Sequence, residues 1–180
     1  MHQRFLAFAV ASLFLCCAAV ATAQTSQDKS KRPSPPGTAE VTLKGKTITI
    51  DYSRPSMRGR KIMGALVPYG KVWRTGANEA TTLTTPIDLT IGGAKVPAGK
   101  YTLWTLPSHD TWKLIINKQT GQWGTDYDAS QDLVRVDMQK KMLSAPVEQF
   151  TISFAKQGED NADLVMDWEN TKVSVPIRAE

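Results

Sequence analysis

Two cysteines, two histidines and one long apolar run are all that this 180-residue chain has of three features that often decide a function. Cys16, Cys17 and His2 all fall in the first 23 residues. Without those residues the chain has no disulfide, no thiolate nucleophile and no cysteine metal ligand, and His109 is its sole histidine. A histidine-built metal centre has too few ligands. Ser108, His109 and Asp110 resemble a catalytic set only in composition, because neighbours along one turn do not converge as a triad. Helical periodicity is scarce as well: only Arg60–Leu66 and Lys140–Leu143 suit a helical turn.

The apolar run spans Phe5 to Val20, after the short positive start Met1-His2-Gln3-Arg4. Ala21-Thr22-Ala23 supplies a small-x-small cleavage site, so residues 1–23 read as a secretory signal peptide. The run is shorter than the about 20 apolar residues of a comfortable membrane span, and no second run follows. A lipoprotein signal competes, but Leu15 stands before Cys16 where that signal wants a small residue. The expected location is periplasmic or secreted, with no integral membrane span after cleavage. Residues 24–37, with Pro33, Pro35 and Pro36, read as a flexible polar leader. Residues 38–180 form one domain of about 140 residues, enough to bury roughly two thirds of the unfolded surface without a disulfide or metal.

What is there is mostly alternation. Glu40–Lys44 and Lys46–Tyr52 flank Gly45 as a hairpin would, and Ala80–Thr84 and Ile87–Ile91 follow, the latter closed by Gly92-Gly93. Lys100–Leu106, Trp112–Asn117, Asp132–Met138, Phe150–Phe154, Leu164–Trp168 and Val173–Ile177 complete the set. About ten short strands with frequent turn signals predict an all-β chain, an antiparallel β-sandwich or jelly-roll-like barrel with one long basic loop.

That loop holds the charge. The formal net charge is +5, and between Arg54 and Glu79 six cations (Arg54, Arg58, Arg60, Lys61, Lys71, Arg74) face the single anion Glu79. Nucleic acid is not the expected partner, since the aromatic and basic sheet motifs of RNA binders are absent. An anionic small molecule or a cell-envelope glycan suits the compartment better. Two readings of the loop stand side by side. In one, Arg54, Arg58, Arg60 and Arg74 supply charge, Tyr69 and Trp73 an apolar wall, and Asn78 and Glu79 orientation, because an arginine fork matches a carboxylate or phosphate. In the other, Arg74 or Arg54 pairs with Glu79, Asp51 or Glu169 and pins the loop to the sandwich. An alternative function is a hydrolase using Glu79 as acid or base, with Asp51 or Glu169 as its second carboxylate.

The remaining motifs are weaker. Trp168 shares a parity with Leu164 and Met166 and reads as core. The side of Trp104 is undecided, and Trp73 and Trp123 lie in loop contexts as surface candidates for stacking on sugar rings. Asp126, Asp128, Ser130, Asp132 and Asp137 echo a calcium loop, but Gln131 stands where the sharp turn needs glycine, so a solvated acidic turn is expected there. No cofactor or metal is expected.

Tyr52-Ser-Arg-Pro55, Arg58-Gly-Arg60, Val67-Pro-Tyr-Gly70, Val72-Trp-Arg-Thr-Gly-Ala-Asn-Glu79 and Pro97-Ala-Gly-Lys-Tyr101 together resemble an exported bacterial family known only as domain of unknown function 2911. Trp123-Gly124, Asp132–Arg135 and Trp168-Glu169 match as well, so the likeness runs roughly from Ser34 to Ile177. The resemblance implies export and a β-rich fold. It carries no activity and no site residues.

Overall fold

Buried and exposed positions alternate along most of the strands that the computed structural model assigns within residues 28–180, the residues it describes. The expected signal peptide, residues 1–23, and the first residues of the leader lie outside them. The strands are β1 (Pro36–Leu43), β2 (Lys46–Ser53), β3 (Thr82–Thr85), β4 (Leu89–Ile91), β5 (Ala94–Val96), β6 (Gly99–Leu106), β7 (Trp112–Asn117), β8 (Asp132–Lys156) and β9 (Asn161–Ala179). All pairs are antiparallel, and the sheet order is β1-β2-β3-β6-β7-β8-β9-β4-β5. The expected all-β antiparallel class is therefore found. With β1 and β5 left as edges, the sheet is not closed into a barrel.

The strands are fewer and two are far longer than expected. β8 runs 25 residues and joins the segments around Val134 and Ile152 that the sequence separates. Its first part, Asp132–Met138, pairs with β7, and from Gln139 onward it pairs with β9. The register slips twice against β9, from Met142↔Thr171 to Val147↔Glu169 and then to Thr151↔Asp167. Ser144-Ala145-Pro146 falls in the first slip, where proline's missing N–H removes no ladder bond. Bulges bend a strand and increase its twist. Opposite them Glu169 adopts φ 53°, a left-handed conformation rare for a non-glycine residue.

Bending lets one face of the sheet wrap a single apolar core. Leu43, Ile48, Ile50, Leu103, Leu114 and Val175 are all fully buried in it, and Trp112, Phe150 and Trp168 fill its aromatic end. Each fully buried aliphatic side chain contributes roughly 1.5–3 kcal/mol. Tyr52 crosses the core from β2 to β8, where its hydroxyl accepts from Ile152 N at 2.9 Å and donates to Ile152 O at 3.3 Å. A side-chain hydroxyl thus satisfies backbone groups that lack a strand neighbour.

A smaller cluster of Ala80, Trp104 and Ile115 lies apart from this core, with Val72 and Tyr127 against it. The long loop between β2 and β3 lies beside β6 and β8. Its backbone is bonded through Trp73 N to Thr105 O (2.8 Å), Gly70 N to Pro107 O (2.8 Å) and Met57 N to Glu148 O (2.8 Å). β6 is therefore buried at both parities from Tyr101 to Thr105, which is why alternation leaves the side of Trp104 open. Trp168 is core, as its parity indicates. The end of the polar leader is engaged too. Lys29–Lys31 forms a 3-10 turn, Arg54 N donates to Pro35 O at 2.8 Å, and β1 opens at Pro36 paired with Ser53.

Candidate functional site

Six cations in one loop do not form one cluster. Arg54 donates from Nε to Phe150 O at 3.4 Å and from its terminal nitrogen to Thr151 Oγ1 at 3.0 Å, tying β2 to β8. Arg58 donates to Pro33 O at 3.0 Å, holding the chain before β1. Arg60 turns back on its own loop, to Met57 O at 3.0 Å and Ser56 O at 2.7 Å. None of these three meets a carboxylate in an ion pair among the described residues. Apart from Thr151 Oγ1 their partners are backbone carbonyls, which sequence charge patterns do not reveal.

Arg74 differs from all of them. It is partly buried, its Nε is shielded from solvent without a hydrogen-bond partner, and no ion pair among the described residues includes it. A buried donor left unpaired costs about 1–3 kcal/mol, so such groups call for an explanation. The position of Arg74 is fixed by its stem. A Cβ built on Gly124 would lie 2.6 Å from Arg74 Cδ and 2.6 Å from Asn78 O, so only glycine admits this approach. Gly124 N also donates to Asn78 O at 2.9 Å, locking the two loops together.

Arg74 lines an open cavity of about 420 Å³ with Arg60, Trp73, Trp104, Tyr127 and Trp168, and Leu66, Val72, Ser34 and Thr125 lie along it as well. No aspartate or glutamate lines it. Trp73 is not the surface platform that its loop context suggests. It stacks on Trp168 at 5.7 Å and 20°, and meets Phe150 at 5.0 Å and Trp112 at 6.5 Å edge-on. Trp123 is the exposed indole, 46% accessible. Tyr127 leans on Trp104 at 4.9 Å. Its hydroxyl donates to Asp132 at 2.7 Å and accepts from Arg135 at 2.9 Å, while Asn117 donates to the other Asp132 oxygen at 2.9 Å. Burial first, then the hydrogen bond to Asp132 and its charge, push the Tyr127 phenol up to about 12. The phenol stays neutral and its ring is held in place.

Thus the structure gathers Arg60, Trp73 and Arg74 and separates the other five candidates. Tyr69 lies in another cavity of about 440 Å³, where His109 sits at 4.1 Å and Lys140 Nζ lies 5.9 Å from its ring centre. Asn78 adopts φ 58° and donates to Ser34 O and Ser53 Oγ, both at 3.1 Å. Glu79 lines a third cavity of about 390 Å³ and pairs with Lys29 at 3.0 Å and Arg32 at 3.0 Å rather than with any loop arginine. Burial raises its pKa, but hydrogen bonds from its own N–H, Lys29 and Arg32 outweigh that and hold it at about 2. Glu169 accepts from Ile62 N at 3.1 Å and Met63 N at 3.0 Å, a loop anchor. The acids of the calcium-like stretch go to separate partners: Asp128 caps Ser130, Asp132 holds Tyr127 and Arg135, and Asp137 pairs with Lys113.

Tyr127 is a site residue that the sequence does not single out, and the sequence leaves the side of Trp104 open. Tyr127 sits within the acidic turn, where composition points to the carboxylates instead.

A family model described as "Protein of unknown function (DUF2911)" matches residues 34–177. No curated protein and no solved structure matches the chain.

Proposed function

Because the chain belongs to the DUF2911 family, whose description assigns no activity, we propose a function from its own geometry: an exported binding module whose cavity beside Arg74 takes a small anionic ligand. One observation carries this reading. Arg74 is a cation without an ion-pair partner among the described residues, and it lines a cavity that has aromatic residues and no carboxylate. The volume of about 420 Å³ falls in the range of small-molecule sites, roughly 300–1,000 Å³, and few convergent polar groups among apolar walls are their usual make-up. A bound carboxylate would accept charge-assisted hydrogen bonds from the terminal guanidinium nitrogens of Arg74. The competing hydrolase reading is opposed by Glu79. A carboxylate held at about 2 is too weak a base, and too fully ionised near neutral pH, to serve as acid or base.

The test is a thermal-shift screen of the mature chain with small organic and inorganic anions at low and high salt. A ligand of this site raises the melting temperature, does so less in high salt, and loses its effect in Arg74→Met. Stabilisation by anions that persists undiminished in Arg74→Met would place the binding elsewhere and end this reading.

A further inference from the structure

The balance of hydrogen-bond donors and acceptors in the same cavity narrows the ligand class. A sugar acid brings hydroxyl groups as well as its carboxylate, and every hydroxyl carries a proton that needs an acceptor. Among its side chains donors predominate. Arg60 and Arg74 are donors only, and no Asp, Glu, Asn or Gln is among its lining residues. Of its three hydroxyl side chains, Tyr127 already donates to Asp132 and accepts from Arg135, while Thr125, which donates to Asp126 at 3.0 Å, and Ser34 keep acceptor lone pairs, so only two side-chain acceptors serve the cavity. Trp104 and Trp168, both buried, spend their indole N–H groups on Thr102 Oγ1 and Glu148 O. By contrast, the cavity around Lys29 and Arg32 carries two acids, Asp51 and Glu79.

We propose that the Arg74 cavity is selective for a monocarboxylate on an apolar body, aryl or acyl, and discriminates against sugar acids. This rests on the anion-binding reading above. One guanidinium fork matches the two oxygens of one carboxylate. The partly exposed side chains of Trp73, Tyr127, Leu66 and Val72 lie against the apolar body. Each ligand hydroxyl buried there without an acceptor weakens binding by about tenfold.

Calorimetric titration of the mature chain with phenylacetate, hexanoate, glucuronate and inorganic phosphate tests this directly. Phenylacetate, hexanoate or both should bind at least about tenfold more tightly than glucuronate and phosphate, and Arg74→Met should abolish that binding. Either order between phenylacetate and hexanoate supports the proposal, since both share its chemistry. Glucuronate or phosphate binding as tightly as the apolar acids, with the same Arg74 dependence, overturns the selectivity and leaves the anion cavity standing. Wild-type binding by none of the four overturns both readings. The ranking on wild-type protein decides the question even if Arg74→Met fails to fold.

Discussion

Replacing Arg74 with methionine should make the folded chain more stable. The longest part of the side chain, which passes over Gly124, is retained in length by methionine, so that contact survives. What disappears is a buried Nε–H with no partner, together with one cation of a loop that holds six against one acid. A buried unpaired donor costs about 1–3 kcal/mol, and because Arg74 is only partly buried the lower end applies, about 1 kcal/mol. For a chain of this size that is a rise in Tm of about 2–4 °C. Urea denaturation of wild type and Arg74→Met should show a higher midpoint at unchanged m-value. The same variant should lose its response to anions, the pattern of a group kept for function at a cost in stability. A fall of about 1 kcal/mol or more would mean that the guanidinium pins the loop, and the reasoning would fail.

Three further outcomes follow from the same contacts. Tyr52→Phe leaves the buried Ile152 N–H without its acceptor and should cost about 1–3 kcal/mol, with faster hydrogen exchange at Ile152; an unprotected Ile152 amide in wild type would contradict the contact. Gly124→Ala pushes a methyl group against Asn78 O and Arg74 Cδ, each 2.6 Å away, and should cost about 1–3 kcal/mol while weakening anion binding; wild-type stability and binding would show that the two loops are not interlocked there. The Glu79 carboxylate, held at about 2 against its ordinary 4.5, contributes stability that is present above about pH 4.5 and lost as the pH falls from there toward 2. Glu79→Gln should therefore flatten the acid limb of the stability curve in that window, measured by thermal melts, and an acid limb identical to wild type would refute the assignment.

Period-two alternation was enough to read an all-β antiparallel chain, because most strands bury one face, and it placed Trp168 inside. It failed where both faces are covered. On β6 the loop covers what would otherwise be a wet face, so Trp104 gave no parity signal. It failed again at Ser144-Ala145-Pro146, which has the composition of a turn but is a bulge within one continuous strand. The candidate site was legible only as a place of high charge. Arginines that bond backbone carbonyls, as Arg54, Arg58 and Arg60 do, look in sequence just like one whose Nε has no partner among the described residues. Glu79 could not be matched with Lys29 and Arg32 because the leader read as a free polar segment, which it is not near the sheet. Tyr127 was obscured by the acids beside it, one of which, Asp132, turns out to be its support.

The most direct measurement is a crystal structure of the mature chain with bound phenylacetate. The account requires the carboxylate within hydrogen-bond distance of the terminal guanidinium nitrogens of Arg74 and the ring against Trp73 and Tyr127. Density for the acid beside Lys29 and Arg32, or beside Tyr69 and His109, with only water next to Arg74, would contradict it.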